Sequence, residues 1–380
     1  MMAKQNTAVL LSLLAILASW SRPITTQPPR QPATPTTSAP APFKVVKTLD
    51  PAIWHIFQDS TGTYWFGSHG QGLFRWDGKA STFDHFTTES GLGDGDIGKI
   101  QEDRSGNLYI NTSTGISKFD GRTFTTLKVD DSEPAATEVK LGPDVLWFKA
   151  GGERPHALFY DGKSLRKLTI PTTAAGDAHY ASLPRSKFPN AKYSPYDAYT
   201  FYNDSHGNVW FGTASLGACR FDGKTFAWIS QEELAFNEKN DRNFGTRSII
   251  EDRDGKFWIT NTRHRFDMNP PPSVTATKGA GGLRYIKSAG LAHRADGEDE
   301  DYTFIMSMAK DRAGDLWMAT YGAGVFRWDG KTLTNYPVLV NGQPITVFSI
   351  YRDREDGLWL GTHEHGVCKF NGKAFEKFKF

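Results

Sequence analysis

Cysteine is almost missing from this chain, with two among 380 residues. That excludes a disulfide-stapled scaffold. Neither sign of charge is in excess. Lys and Arg number 44 against 42 Asp and Glu, a formal net charge of +2, so nucleic acid has no electrostatic claim as a partner. No basic amphipathic helix points to a membrane surface, and past the N-terminal region no segment sustains a helical apolar period. The sequence also contains no G-x-S-x-G, no H-E-x-x-H and no P-loop, so the common signatures of serine hydrolases, zinc proteases and nucleotide hydrolases are absent.

What the chain does have is a repeat. Asp311–Lys331 contains a D-x-x-G turn, the apolar run Leu316–Thr320, a Gly-rich loop, the run Gly324–Trp328 and an Asp-Gly turn. Similar text returns at Asp59–Lys79, Asp204–Lys224 and Asp353–Lys373, and weaker copies begin at Asp103, near Pro143 and at Asp252. Each unit reads as four short strands. The D-x-x-G Asp accepts backbone N–H bonds while Gly supplies positive φ, and Asp-Gly predicts a type I′ hairpin. The middle strands are apolar at consecutive positions, so both faces of each small sheet are covered, as radial stacking would do. Trp65, Trp147, Trp210, Trp258, Trp317 and Trp359, with Tyr109 in the remaining unit, read as packing between blades. The expectation is an all-β fold, a seven-bladed β-propeller of four-stranded antiparallel blades. The blades fall at about 52–88, 96–129, 138–169, 197–230, 246–287, 302–336 and 346–380.

The pattern D-x-x-G-x-[LVF]-W-[FILM]-[GA]-T…G-[LVA]-x-[RK]-[FW]-[DN]-G resembles the two-component regulator propeller repeat, over about residues 52–380. The resemblance implies an extracytoplasmic sensor propeller of the kind found in bacterial hybrid histidine kinases. Such sensors continue into a β-sandwich, a membrane span and a kinase. None of these is read in this sequence, so the expectation is a chain that does not signal in cis.

Residues 1–21 read as a signal peptide: Lys4 supplies a sparse positive start, and Ala8–Trp20 is apolar but short for a bilayer. An uncleaved N-terminal anchor is the one membrane attachment the sequence leaves open. Residues 22–42, rich in Pro and Thr, form a linker without core-forming side chains, and 43–380 form the propeller. Export fits a bacterial periplasmic or extracellular protein. Phe43–Leu49 and Ala374–Phe380 both read as fourth strands, one of which should close the ring. Cys219 and Cys368 occupy one slot of two distant blades, too far apart for a disulfide.

Long connections at about 170–196, 231–245 and 288–301 join successive blades, and one at about 263–281 is read between the second and third strands of blade five. All would emerge on one rim. Tyr193, Tyr196, Arg154, Arg263, Arg265, Tyr321, His69, His363 and His365 lie in these insertions and loops. Aromatics with Arg and His around a funnel suit a carbohydrate or another small neutral or anionic ligand. His69, His363 and His365 raise the question of a metal, but extended segments point alternate residues apart, and no metal or cofactor is expected. The acidic run Asp296–Asp301 lacks EF-hand spacing. The leading expectation is a non-catalytic ligand-binding propeller for carbohydrate or an envelope protein partner. The alternative is a lyase or hydrolase at the same funnel, since fold alone does not fix function.

Overall fold

A single carboxylate organises each blade, as Asp353 shows in the computed structural model. Its Oδ1 accepts backbone N–H bonds from Glu355 at 3.1 Å and Gly357 at 2.5 Å, and its Oδ2 accepts the indole N–H of Trp359 at 2.8 Å. The pattern recurs where Asp59 binds Trp65, Asp204 binds Trp210, Asp252 binds Trp258 and Asp311 binds Trp317, all at 2.8 or 2.9 Å. In blade two Asp103 accepts the Tyr109 hydroxyl at 3.0 Å instead. The third strand then sets a cation opposite the ring. Arg75, Lys118, Arg220, Arg265, Arg327 and Lys369 face Trp65, Tyr109, Trp210, Trp258, Trp317 and Trp359 in register. Lys369 Nζ lies 4.3 Å from the Trp359 ring centre and 3.8 Å from Asp353 Oδ2, so one cation serves both π face and carboxylate. Blade three has no such Asp and puts Phe159 opposite Trp147, whose buried indole N–H has no acceptor.

The structure describes residues 40–130, 139–150, 156–174, 177, 178, 181, 196–234, 245–260, 262–291 and 304–380. Within them lie the seven expected blades. Blade seven shows the plain form: Val347–Arg352, Leu358–Thr362, Val367–Phe370 and Phe375–Lys377 in sequential antiparallel order. Blades two, four and six repeat it. In blade three, Val129–Asp130 lies parallel on the outer edge of Leu165–Thr169. The Asp-Gly turns differ from expectation. Gly78 (φ 87°) and Gly330 (φ 97°) are left-handed but the Asp residues before them are not, so type I′ is excluded. Asp77 Oδ1 instead accepts the N–H groups of Lys79 and Ala80, both at 2.8 Å.

The core is divided into seven apolar slabs, each shared by one blade and the next. The recurrent Trp of a blade enters the slab it shares with its successor: Trp65 packs with Ile97 and Leu108, and Trp317 with Val347 and Leu358. The seventh slab joins blade seven to blade one, with Trp359 and Val367 against Ile53, Phe66 and Phe74. Gly361 belongs to this contact, because a Cβ there would sit 2.8 Å from the Ile53 carbonyl. Tyr64 donates to Asp353 at 2.8 Å, Tyr351 accepts from the Gln58 N–H at 2.9 Å, and Phe378 and Phe380 set edges on Trp76.

Two expectations are therefore corrected. Neither terminal strand crosses between blades to close the ring. Lys44–Val46 pairs outside Phe83–Phe86 as a fifth strand of blade one, and Phe375–Lys377 stays in blade seven. The seam is made by side chains and by a backbone bond from the Gly366 N–H to the Pro51 carbonyl at 2.6 Å. In blade five the third strand is His264–Asp267 and Arg284–Ala289 is the fourth, because Phe266 must be buried beside Phe257 and Arg265 must reach Asp252. The insertion thus lies between third and fourth strands, on the D-x-x-G rim, where Thr277–Lys278 pairs with Arg284 and Tyr285. Cys219 and Cys368 occupy equivalent slots, opposite Phe211 and Leu360, and both are free and buried. Among the described residues no helix is long and apolar enough to cross a membrane.

Asp353→Ala strips acceptors from two backbone N–H groups, Trp359 and Tyr64 at the seam. It is expected to lower unfolding free energy by about 2–4 kcal/mol, against about 1 kcal/mol for Tyr64→Phe. Chemical denaturation of the variants measures both. Equal losses would show that the carboxylate does not organise the blade.

Candidate functional site

The innermost strand of each blade faces the ring axis, and in five blades it is bulged among the described residues. Register shifts fall between Ile53 and His55, Ile97 and Ile100, Ala198 and Thr200, Ile305 and Ser307, and Val347 and Ser349. A bulge re-aims a side chain that regular pleating would send elsewhere. The slot concerned is the fifth residue before the D-x-x-G aspartate: Trp54, Gly98, Tyr199, Met306 and Phe348, with Arg247 in blade five. These residues form a collar at the end of the channel opposite the D-x-x-G turns.

Trp54 is the best-supported member. It stacks on His69 with centroids 3.7 Å apart and planes 9° apart, and on Phe348 at 4.0 Å and 16°, while His363 leans in at 5.5 Å. His69 and His363 occupy matching positions in the second-to-third-strand loops of blades one and seven. Each is fixed by its own N–H, donated to Ala52 and Thr346 respectively. His69 Nδ1 lies 2.6 Å from Asp96 Oδ1, and His363 Nδ1 lies 3.3 Å from Glu364 Oε1. Tyr321 holds the same loop position in blade six. It stacks on Phe304 at 5.1 Å and leaves 45% of its surface exposed, a flat aromatic platform on the rim.

Across the channel, cations gather on the inner strand of blade four. The Arg247 guanidinium lies 4.7 Å and Lys149 Nζ 5.3 Å from the Tyr199 ring centre, and Lys99 Nζ lies 5.8 Å from that of Phe201. Lys99 projects beside Gly98, the one collar slot without a side chain among the described residues. It is open to the channel yet enclosed by protein, and this desolvation pushes its ammonium down to about 8. His55 is pushed down to about 4, chiefly by the same enclosure, with Asp96 opposing and Lys99 assisting. It is therefore neutral at pH 7 while Lys99 is charged.

The residues expected at the site thus separate. His69, His363 and Tyr321 are on the collar rim. Tyr196 is buried as a loop staple, its hydroxyl accepting from the Thr173 N–H at 2.7 Å and bonding Asp177 at 3.0 Å. Arg263 is buried at 3% exposure, and its carbonyl accepts the Leu291 N–H. Arg265 lies on the opposite rim, held by Asp252 and Asp254 at 2.8 and 2.7 Å as the cation of its repeat. His365 donates its N–H to Thr362 and takes no part in the stack. Tyr193, Arg154, Asp296–Asp301 and most of the three long connections lie outside the described residues. Among the described residues, no three His, Cys, Asp or Glu side chains are grouped to hold a metal ion. Trp54, Phe348, Tyr199, Arg247 and Lys99 were not among the candidates. For all but Lys99 the signal was a loss of uniformity, since the fifth residue before each Asp varies in type while the third stays apolar.

The family model described as two component regulator propeller matches residues 192–215 and 340–364. Those stretches hold the first two strands of blades four and seven. Both stretches are similar to two-component regulator propeller repeats. The extracellular domain of a hybrid two-component system from B. thetaiotaomicron is 20% identical with a TM-score of 0.54. The match covers 86% of this chain and 39% of that one, so the chain spans about two fifths of that domain's length. Virginiamycin B lyase from Staphylococcus aureus is 13% identical with a TM-score of 0.55, covering 86% of this chain and 99% of the lyase. At such identities both likenesses establish the propeller fold. No curated protein matches the sequence.

A charged Lys99 in a desolvating channel costs stability below pH 8. Its folded pKa of about 8 lies below the ordinary 10.5, so the unfolded chain binds more protons between those values and stability rises with pH across that window. Lys99→Met should therefore unfold at a higher temperature than the wild type at pH 7, with the gap closing between pH 8 and 10.5. A gap that does not change with pH would show that Lys99 is not desolvated.

Proposed function

We propose that this propeller is an exported, non-catalytic, sensor-like binding module that takes a carbohydrate at the collar. The carrying observation is the His69–Trp54–Phe348 stack, set by bulged inner strands on the rim that also carries the inter-blade connections. Stacked rings with fixed polar edges suit saccharides, whose apolar faces pack on aromatics while hydroxyl groups are read by hydrogen bonds. The exposed face of Tyr321 extends that surface outward. Export is supported by the N-terminal sequence and by the extracellular setting of the two-component relative. An envelope protein partner remains the other ligand class for the same rim.

A second reading rests on one contact. A carboxylate at His69 Nδ1 fixes the tautomer and leaves Nε2 as a base, the arrangement a lyase or hydrolase at the funnel would use. This pair needs no metal.

A thermal-shift screen of residues 43–380 against oligosaccharides, with and without chelator, tests the binding reading. A ligand that binds the native state raises the midpoint by mass action, by an amount equivalent to about 2.7 kcal/mol at one hundred times Kd. The expected result is a saccharide-specific shift that survives chelator and is lost in Trp54→Ala and Tyr321→Ala. Product formation that disappears in Asp96→Asn would support the second reading. Silence with every saccharide would overturn the first and direct attention to protein partners.

A further inference from the structure

The charge around the collar narrows the class of saccharide, an inference that rests on the carbohydrate reading above. Three cations from three different blades converge on the inner strand of blade four. Lys149 and Arg247 approach Tyr199, and Lys99 approaches Phe201. Neither Lys99 nor Lys149 forms an ion pair or side-chain hydrogen bond among the described residues. Several acids at this end of the channel are already engaged. Asp96 is held by His69, Asp94 accepts from Ser113 and from the Asp96 N–H, and Glu364 faces His363.

An ammonium enclosed by protein and lacking a carboxylate loses stability unless something else supplies the charge. Lys149, which is exposed, brings a second positive charge to the same strand. Gly98 adds geometry. In blades one, four and seven the equivalent slot carries Trp54, Tyr199 and Phe348, whereas here the collar has no side chain and Lys99 stands next to the gap. A Cβ at Gly98 would already approach the Asn111 carbonyl to 3.2 Å.

We infer that the saccharide bound here is acidic, with a uronate carboxylate entering the channel beside Gly98 to meet Lys99 and Lys149 while its ring lies in the collar. A carboxylate accepts several hydrogen bonds at once, and in an enclosed site a charge-assisted contact is stronger than a neutral one. Neutral sugars would leave both ammonium groups unmatched, so discrimination would come from the charge of the ligand rather than from the shape of its ring.

The test uses matched oligosaccharides: oligogalacturonate, oligomannuronate and a glucuronate-containing oligomer, each beside its methyl ester, with neutral galacto- and gluco-oligomers of the same length. Binding to the full chain is measured by calorimetry at pH 7. At least one acid should bind ten-fold or more tightly than its ester. Lys99→Met should bring that ratio close to one through loss of acid affinity, and Lys99→Arg should restore most of it. An ester that binds as tightly as its acid overturns the inference. So does a Lys99→Met variant that keeps the ratio. Binding of neutral oligomers alone also overturns it, while the carbohydrate reading stands. If no saccharide of any kind binds, the reading beneath it falls as well.

Discussion

The hydrogen bond from a tryptophan indole to the aspartate six residues before it is the constraint on which this ring depends. It binds the turn that begins a blade to the strand that forms its middle. It also gives a large aromatic side chain a polar anchor in an otherwise apolar slab. The ring is then free to pack on the next blade, and the cation from the third strand covers its other side. Turn, strand and inter-blade contact are thus fixed by three side chains, and the repeat spells out those three. Blade three shows the dependence from the other side. Its Asp and its cation are both missing, and the indole N–H of Trp147 is left buried without an acceptor. The blade stands because its neighbours hold it through two complete slabs.

Much of the fold was legible in the sequence because its elements are local. The D-x-x-G turn, the strand that follows and the Asp-Gly loop each lie within a few residues of their signal, and seven copies reinforce one another. Reading failed where pairing had to be chosen between similar texts. In blade five, Gly282–Tyr285 looks like a third strand, but Arg265 and Phe266 satisfy Asp252 and the core earlier in the chain. The true third strand therefore precedes the insertion. Phe43–Leu49 misled in a similar way. Its pattern is that of a strand, but the pattern does not say which edge receives it, and it pairs on the outer edge of blade one.

The site was less legible for a physical reason. His69, His363 and Tyr321 could be found because loop residues with ring side chains stand out from Gly-rich text. Trp54, Tyr199 and Phe348 lie inside strands and read as core until a bulge turns them toward the axis, and Arg247 lies just before the inner strand of blade five. A bulge is a matter of register between two strands, and no residue of the strand announces it alone. Arg265 went the other way: an arginine beside a histidine in a presumed loop looked like a ligand contact, and it proved to be the framework cation of its own blade.

The seam between blades seven and one has a consequence for how the molecule responds as a whole. No strand is exchanged across it, so the first and last blades are joined by side chains, by the Gly366 N–H bond to the Pro51 carbonyl and by the close approach of Gly361 to the Ile53 backbone. Trp54 and Phe348 stand on opposite sides of that line and touch each other at the collar. The mouth of the channel and the clasp of the ring are therefore partly the same set of atoms. Occupancy of the mouth and integrity of the circle are thermodynamically coupled. A molecule held there would tighten that joint, and strain applied to the joint would be felt first at the mouth.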